Sequence, residues 1–410
     1  MRSWRRYSPI VVLFVALRLM FMATFSPDNL TLFGDYIYYY ELATYSDQGY
    51  LPFIHYWSEY PPVFPFLSVG VYRLARLFGG EYHVYVYLTG LLMLVVNTGN
   101  LILFLRLAQR LRGAESAERM GWVYSVLFVP LIYAWWNYDA LAVFSLLLAL
   151  DLLLSGHERW SAVVMGVGVM VKLVPLFIFP AVVCTRPWRR WFVYGLIAAI
   201  VVVIMALPLL LVGGEMARVS FLSLTSRSSW QTVWALLDGN LRTGVLVAAS
   251  DHFDPALATT PVGNPARIPT WMTLCAFALL YGLIFFKANL RTSPRRLVAF
   301  VCTTFLVFFL WSSGWSPQWQ VLLYPLVLLV LPLQRAVLFI LALSFVNLAE
   351  WPVMLSRGLN QWLYLTVPLR TILLVLLLIE TIKSAGGFSI GAERWDEMRK
   401  LNQPDPGANE

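Results

Sequence analysis

The sequence predicts an all-α polytopic membrane protein, a bundle of about 10–12 transmembrane helices carrying two large outer loops and surface helices. Three observations predict it. Of the 410 residues, 59% are hydrophobic and 13% are charged, where soluble domains run at about a quarter charged. Apolar runs of about 18 residues or more recur along the chain, each able to cross roughly 30 Å of hydrocarbon. Seventeen Trp and twenty Tyr suit the two membrane–water interfaces, where an apolar ring with a polar edge is best solvated.

Charge placement orders the spans. Basic residues Arg2, Arg5 and Arg6 place the N-terminus in the cytoplasm. The residues before Asp28 show no small-residue cleavage site, so the first run, 8–25, is a retained span. Residues 26–82 form outer loop one, with interfacial helices near 35–47 and 63–78. The chain returns through 83–107 to the basic segment Arg106–Arg119. It runs out through 120–137 and back through 139–155.

Residues 160–185 are basic at both ends, with Lys172 between them and Pro175 and Pro180 after it. Two readings fit. One is a broken, re-entrant pair of half-helices with Lys172 near the tip, allowed where the backbone lines a cavity. The other is an ordinary span. Outward span 191–212 leads to outer loop two, 213–268. Spans 271–287, 297–311, 319–333, 336–350 and 362–382 follow. The membrane domain is then 1–383, and the polar residues 384–410 form a cytoplasmic tail whose end, Asn402–Gly407, reads as disordered.

Composition also excludes several classes. The net charge of +8 falls in short loops between spans, so it follows the positive-inside rule and does not point to nucleic acid. Cys184, Cys275 and Cys302 have neither metal-ligand spacing nor a disulfide framework. No Walker-type phosphate loop, nucleophile elbow or His-Glu-x-x-His motif is present. The sequence implies no cofactor and no nucleic-acid partner.

The candidate chemistry gathers in the outer loops. Asp35 beside a span end should face water or a cavity, or else cap the helix that follows. Glu41 and Asp47 read as solvated. Glu59-Tyr60-Pro61-Pro62 is a rigid helix start, its acid favourable to the dipole. The tyrosines around it also suit contact with sugar or lipid. Asp139 opens a helix, as a cap or as part of a cavity shared with Asp35. Lys172 is the only lysine before Lys287, and a mid-membrane ammonium needs a partner unless it snorkels. Arg227, Trp230 and Gln231 bring a guanidinium, an aromatic ring and an amide together, either to grip phosphate or as a solvated loop. Gln318, between Trp315 and Trp319, stands in a turn that also suits a site.

Taken in order, Gly34-Asp35-Tyr36 with Tyr39, Glu59-Tyr60-Pro61-Pro62, Asn137-Tyr138-Asp139, Lys172-Leu173-Val174-Pro175 with Pro180, and Ser316-Pro317-Gln318 resemble the membrane glycosyltransferases of the GT-C fold class. The likeness is greatest to bacterial enzymes that use polyprenyl-phosphate-mannose. It spans nearly the whole membrane part. It implies a GT-C-like bundle in the cell membrane, with its active site on the extracytoplasmic face and Asp35 as catalytic base. It implies a polyprenyl-phosphate sugar donor, with mannose as the sugar, and a glycolipid, glycan or protein acceptor beside the membrane lipids. The sequence departs from many relatives in having Tyr36-Ile37 where a second acid would follow, so no obligatory metal is expected. A transporter or flippase of a lipid-linked sugar is the rival reading. It accounts for the spans and the buried lysine but less well for two long outer loops.

Overall fold

The computed structural model describes residues 2–28, 34–127, 129, 131–133, 137–223 and 226–386. Trp135, Trp136 and the tail end Asn402–Gly407 lie outside them. Among the described residues the chain is helical with no β-strand. Among the described residues seven helices are long and apolar enough to cross a membrane. The expected count of 10–12 also includes shorter members: Ala114–Val126, Asp139–Leu154 and Gln320–Val330.

Helix positions follow the hydropathy closely. Helix α1 is Arg2–Thr24, α2 is Tyr36–Thr44 and α3 is Val63–Arg76. Helix α4, Tyr82–Arg112, has 31 residues and so runs roughly 46 Å, well beyond the hydrocarbon thickness. Helix α5 is Ala114–Val126 and α6 is Asp139–Leu154. The centre of the bundle is Gln320–Val330, where every residue is buried. A helix that is apolar all round belongs there. By contrast Trp188–Ser223 and Thr270–Lys287 expose most of their apolar surface. They form the flank that lipid would cover.

Residues 160–185 are broken, as the prolines require. Helix α7, Glu158–Val169, ends in a tight reversal at Met170–Leu173. A 3₁₀ turn, Val174–Ile178, and helix α8, Phe179–Thr185, then run back against it. Lys172 sits at the tip, with its N–H donating to the Gly168 carbonyl at 2.9 Å. Gly168 is required: a Cβ there would meet Ser145 at 2.7 Å and Pro175 at 2.8 Å. Each half has about twelve residues, or roughly 18 Å, which is too short to span. The half-helix reading fits this geometry.

The two ends of the bundle differ. At one end Arg112 donates to the Leu329 and Leu331 carbonyls at 3.0 and 2.6 Å. Arg295 donates twice to Val330 O at 3.0 and 2.6 Å. These guanidiniums cap the open carbonyls of the central helix, where cations are favoured. Asp151 pairs there with Arg106 at 2.9 Å. At the other end α6 begins at Asp139, tied to α4 by Asn100 donating to Ala140 O at 3.0 Å.

The two long loops pack on each other at that second end. Trp57 N–H donates to His252 O at 3.0 Å, and the Trp57 ring stacks on His252 at 4.4 Å. Ser58 N–H donates to Ser220 Oγ at 2.9 Å. Asp47, expected to be solvated, is instead paired. It accepts from Tyr72 OH at 2.6 Å and lies 3.4 Å from Arg76, which fastens the end of the first interfacial helix to the second. Glu41 is exposed, as expected.

Gly213 lies where the long helix Trp188–Ser223 kinks at Gly214 (φ +52°). A Cβ on Gly213 would stand 1.9 Å from the Phe53 carbonyl oxygen, so backbone would have to move. Gly213→Ala is expected to cost about 1–3 kcal/mol, read as a lower unfolding midpoint in detergent. Gly70→Ala is the control. It adds a Cβ in open space within a helix, and the midpoint should hold or rise slightly.

Candidate active site

The site forms where α2, the Glu59–Pro62 segment, the start of α6 and the tip of the α7–α8 hairpin meet. The backbone makes the first join: Val63 N–H donates to the Met170 carbonyl at 3.2 Å. Rings fill the space between. Phe64 stacks on Tyr138 at 3.8 Å, and Tyr60 meets Tyr138 edge-on at 5.2 Å.

Three acids and two cations are set in this aromatic frame. Asp35 precedes α2 but makes no capping bond, so the capping alternative does not hold. Its Oδ2 accepts from Tyr39 OH at 3.2 Å, and the same hydroxyl stands 3.2 Å from Tyr60 OH. Asp139 is not a cap either. It is the first residue of α6, nearly fully buried, and its Oδ1 accepts from Lys172 Nζ at 2.5 Å. Lys172 also lies 5.3 Å above the Trp319 ring. Glu59 is buried and faces Arg227, with Nη2 at 3.5 Å from Oε2 and 3.2 Å from the Glu59 carbonyl.

Burial pushes the Asp35 carboxyl above its ordinary range, and the Asp139 charge adds to the rise. The Tyr39 hydrogen bond, Arg227 and Lys172 oppose it. Burial likewise raises Glu59, against the pull of Arg227 and the Val247 N–H. Tyr39 and Tyr60 are pushed well above 10 by burial, so both stay neutral hydroxyls. A small pocket lined in part by Tyr39, Tyr56, Ser58, Tyr60 and Ser68 lies beside the Tyr39–Tyr60 pair.

The structure therefore brings together Asp35, Tyr39, Glu59, Tyr60, Asp139, Lys172 and Arg227. Other candidates have different surroundings. Tyr36 is fully buried and meets Tyr39 edge-on at 6.1 Å. Trp230 exchanges backbone hydrogen bonds with Ser313 and Trp315, both at 3.1 Å, and its ring packs where a Cβ on Gly314 would lie. Gln231 donates to Glu350 at 2.7 Å, and its carbonyl accepts from Arg370. Glu350 and Arg370 form a buried ion pair at 2.6 Å, joined by Thr366. Gln231 thus belongs to a network that fixes the loop to the last span. Gln318 is half-buried in the 3₁₀ turn Pro317–Trp319, beside the ring that faces Lys172.

Two contributors named in the sequence only as neighbours of candidates are Tyr138 and Trp319. Tyr138 sits directly before Asp139, and the Asn137-Tyr138-Asp139 run was its signal. Trp319 follows Gln318, but nothing local marks it as the ring facing a lysine 147 positions earlier. Among the described residues no group of three His, Cys, Asp or Glu is placed to hold a metal ion.

Fold and site together define a polytopic membrane protein with a one-sided cluster of buried acids and cations under aromatic cover. The chain belongs to glycosyltransferase family 87, whose family model matches residues 57–313. That match contains Glu59, Asp139, Lys172 and Arg227. Asp35 and Gln318 lie outside it. No curated protein matches the chain. Among solved structures, the apo oligosaccharyltransferase of Archaeoglobus fulgidus aligns with 98% of this chain at 12% identity and TM-score 0.44. This chain spans 59% of that protein's length. ArnT from Cupriavidus metallidurans, in a structure bound to undecaprenyl phosphate, aligns with 92% of this chain and 76% of its own at 17% identity and TM-score 0.48.

The Asp139–Lys172 pair can be tested for coupling. Lys172→Met leaves Asp139 buried without its cation, and breaking such a pair costs about 3–5 kcal/mol. Lys172 keeps 20% of its side chain exposed, which puts the expected loss near the lower figure. The double variant Lys172→Met/Asp139→Asn should regain more than half of it. Unfolding of the four proteins in one detergent gives the coupling energy directly. A double variant destabilised by the sum of the two single losses would show that the pair is not coupled.

Proposed function

We propose that the chain transfers a sugar, mannose in the first instance, from a polyprenyl-phosphate carrier to an acceptor hydroxyl on the extracytoplasmic face, with inversion and with Asp35 as base. The observation that carries the reading is the Asp35 carboxylate. It is held by a phenol and not by a cation, yet it lies within electrostatic reach of Lys172 and Arg227.

The acceptor oxygen attacks the anomeric carbon while the bond from that carbon to the phosphate oxygen breaks. The acceptor proton passes to a carboxylate oxygen of Asp35, whose raised proton affinity suits a base. The lipid phosphate leaves with the bonding electrons and gains negative charge. Lys172 has three N–H donors and Arg227 five, so each keeps donors for phosphate beyond those its acid engages. Fixed cations in a dry site stabilise that charge without reorganising. Tyr39, Tyr60 and Tyr138 would pack the sugar, and the apolar flank would receive the polyprenyl tail. The two packed outer loops cover the site from the aqueous side.

The first test is transfer by the purified protein from radiolabelled polyprenyl-phosphate-mannose to a panel of membrane-lipid and glycan acceptors. Asp35→Asn should lower the rate by about 10²–10⁴-fold while donor binding survives. Equal rates would move the base to Glu59 or Asp139. Absence of transfer with donor still bound would favour a carrier of lipid-linked sugar.

The pH profile offers a second test. The base acts only when ionised, so kcat/KM should fall as pH drops through an apparent pKa above 3.8. The Tyr39 hydrogen bond stabilises the ionised form and lowers that pKa. Tyr39→Phe should therefore shift the acid limb to higher pH. A limb that stays in place in this variant would exclude Asp35 as the group that titrates.

A further inference from the structure

Arg18 sits inside the first span and, among the described residues, pairs with no acid. Its side chain is 5% exposed. Its Nη1 donates to the Phe14 carbonyl at 3.2 Å and the Ser125 carbonyl at 3.4 Å, and the guanidinium lies 3.2 Å over the Phe14 ring. Nε and Nη2 have no partner among the described residues. These two nitrogens are the side-on fork that binds paired oxyanion oxygens. A buried charge left this way costs several kcal/mol, so the site is incomplete as it stands.

Arg18 lines a narrow groove between α1 and α4 together with Gly90, Leu94, Asn97 and Leu131, and its two free nitrogens lie buried behind that lining. None of the acid-cluster residues lines it. Flanking residues Leu19, Met20, Leu91 and Val95 are all apolar and exposed, so the groove opens toward lipid. An anion that reaches Arg18 by that route must arrive attached to a lipid. Six residues separate Arg18 from the end of α1 at Thr24, roughly 9 Å, a depth that a headgroup phosphate drawn in beside the helix can reach.

We infer that Arg18 and this groove form a binding site for the phosphate of an anionic phospholipid, separate from the candidate active site. The lipid phosphate would take the Nε and Nη2 donors in a bidentate pair, with its acyl chains lying along the exposed faces of α1 and α4. The inference does not depend on the transfer reaction proposed for Asp35.

The test uses the full chain in detergent micelles and native mass spectrometry with short-chain phosphatidylglycerol, against inorganic phosphate as the soluble anion. Wild type should retain one phosphatidylglycerol at least about tenfold more tightly than Arg18→Gln, while Lys172→Met retains it like wild type. Leu94→Trp fills the groove and leaves the guanidinium in place. It should lose the lipid too, and it decides the matter if Arg18→Gln does not fold. Undiminished binding in both groove variants would overturn the site. Loss in Lys172→Met alone would place the lipid at the acid cluster. Inorganic phosphate bound as tightly as the lipid would show a site for soluble anions.

Discussion

The ion pair between Asp139 and Lys172 is the interaction on which the arrangement of this end of the bundle depends. A lysine in an apolar interior is tolerated only with a partner and a cavity. Here the chain supplies both by breaking a helix. The reversal at Met170–Leu173 puts the ammonium at a hairpin tip, 2.5 Å from the acid that opens α6. The same reversal frees the Met170 carbonyl, which accepts from Val63 and so seats the Glu59–Pro62 segment. With that segment seated, Tyr60 reaches Tyr39, and Tyr39 reaches Asp35. One break in a short helix therefore fixes three separate stretches of sequence.

The matching of acids to bases then sorts their roles. Asp139 has Lys172 and Glu59 has Arg227, each within salt-bridge distance. Among the described residues Asp35 has only a phenol in direct contact. A neighbouring cation lowers a carboxylate's affinity for protons, whereas burial and a second acid raise it. On the proposed reading, the carboxylate without a cation is the one that would accept the proton, and the other two hold the cations that an anionic leaving group would meet. The same logic makes neutral tyrosines useful. They line the pocket and hydrogen-bond without adding charge to a site that already carries three acids.

Much of this was legible in the sequence because membrane helices announce themselves by length and hydropathy. The bounds expected for spans 271–287 and 297–311 fall within three residues of Thr270–Lys287 and Pro294–Trp311. Charges set against an apolar background were equally visible, which is why Asp35, Asp139 and Lys172 stood out. What could not be read was pairing across the chain. Asp47 looked like a solvated acid at the end of an interfacial helix because Arg76 lies a loop away, and Gln231 looked like a ligand because Glu350 and Arg370 lie more than a hundred residues downstream. Arg18 was hidden differently. One arginine barely dents the hydropathy of a span, and only the packing shows that its fork has no partner.

The asymmetry of the bundle bears on the choice between transfer and transport. A carrier must open its site alternately to both sides, so neither end can be permanently tied. Here the end opposite the acids is tied by four guanidinium-to-carbonyl bonds from Arg112 and Arg295 to the last turn of the central helix and the residue after it. Asp151, buried in α6, adds the ion pair with Arg106. Between the ends runs Gln320–Val330, buried along its whole length, with Gln320 and Tyr324 hydrogen-bonded to each other and Tyr324 to Ser344. Opening that end would strip several charge-assisted hydrogen bonds at once, each worth about 1.5–3 kcal/mol. One end tied by guanidiniums and the other carrying paired cations and an acid free of them suits the transfer proposed above. That geometry favours a transferase over a carrier.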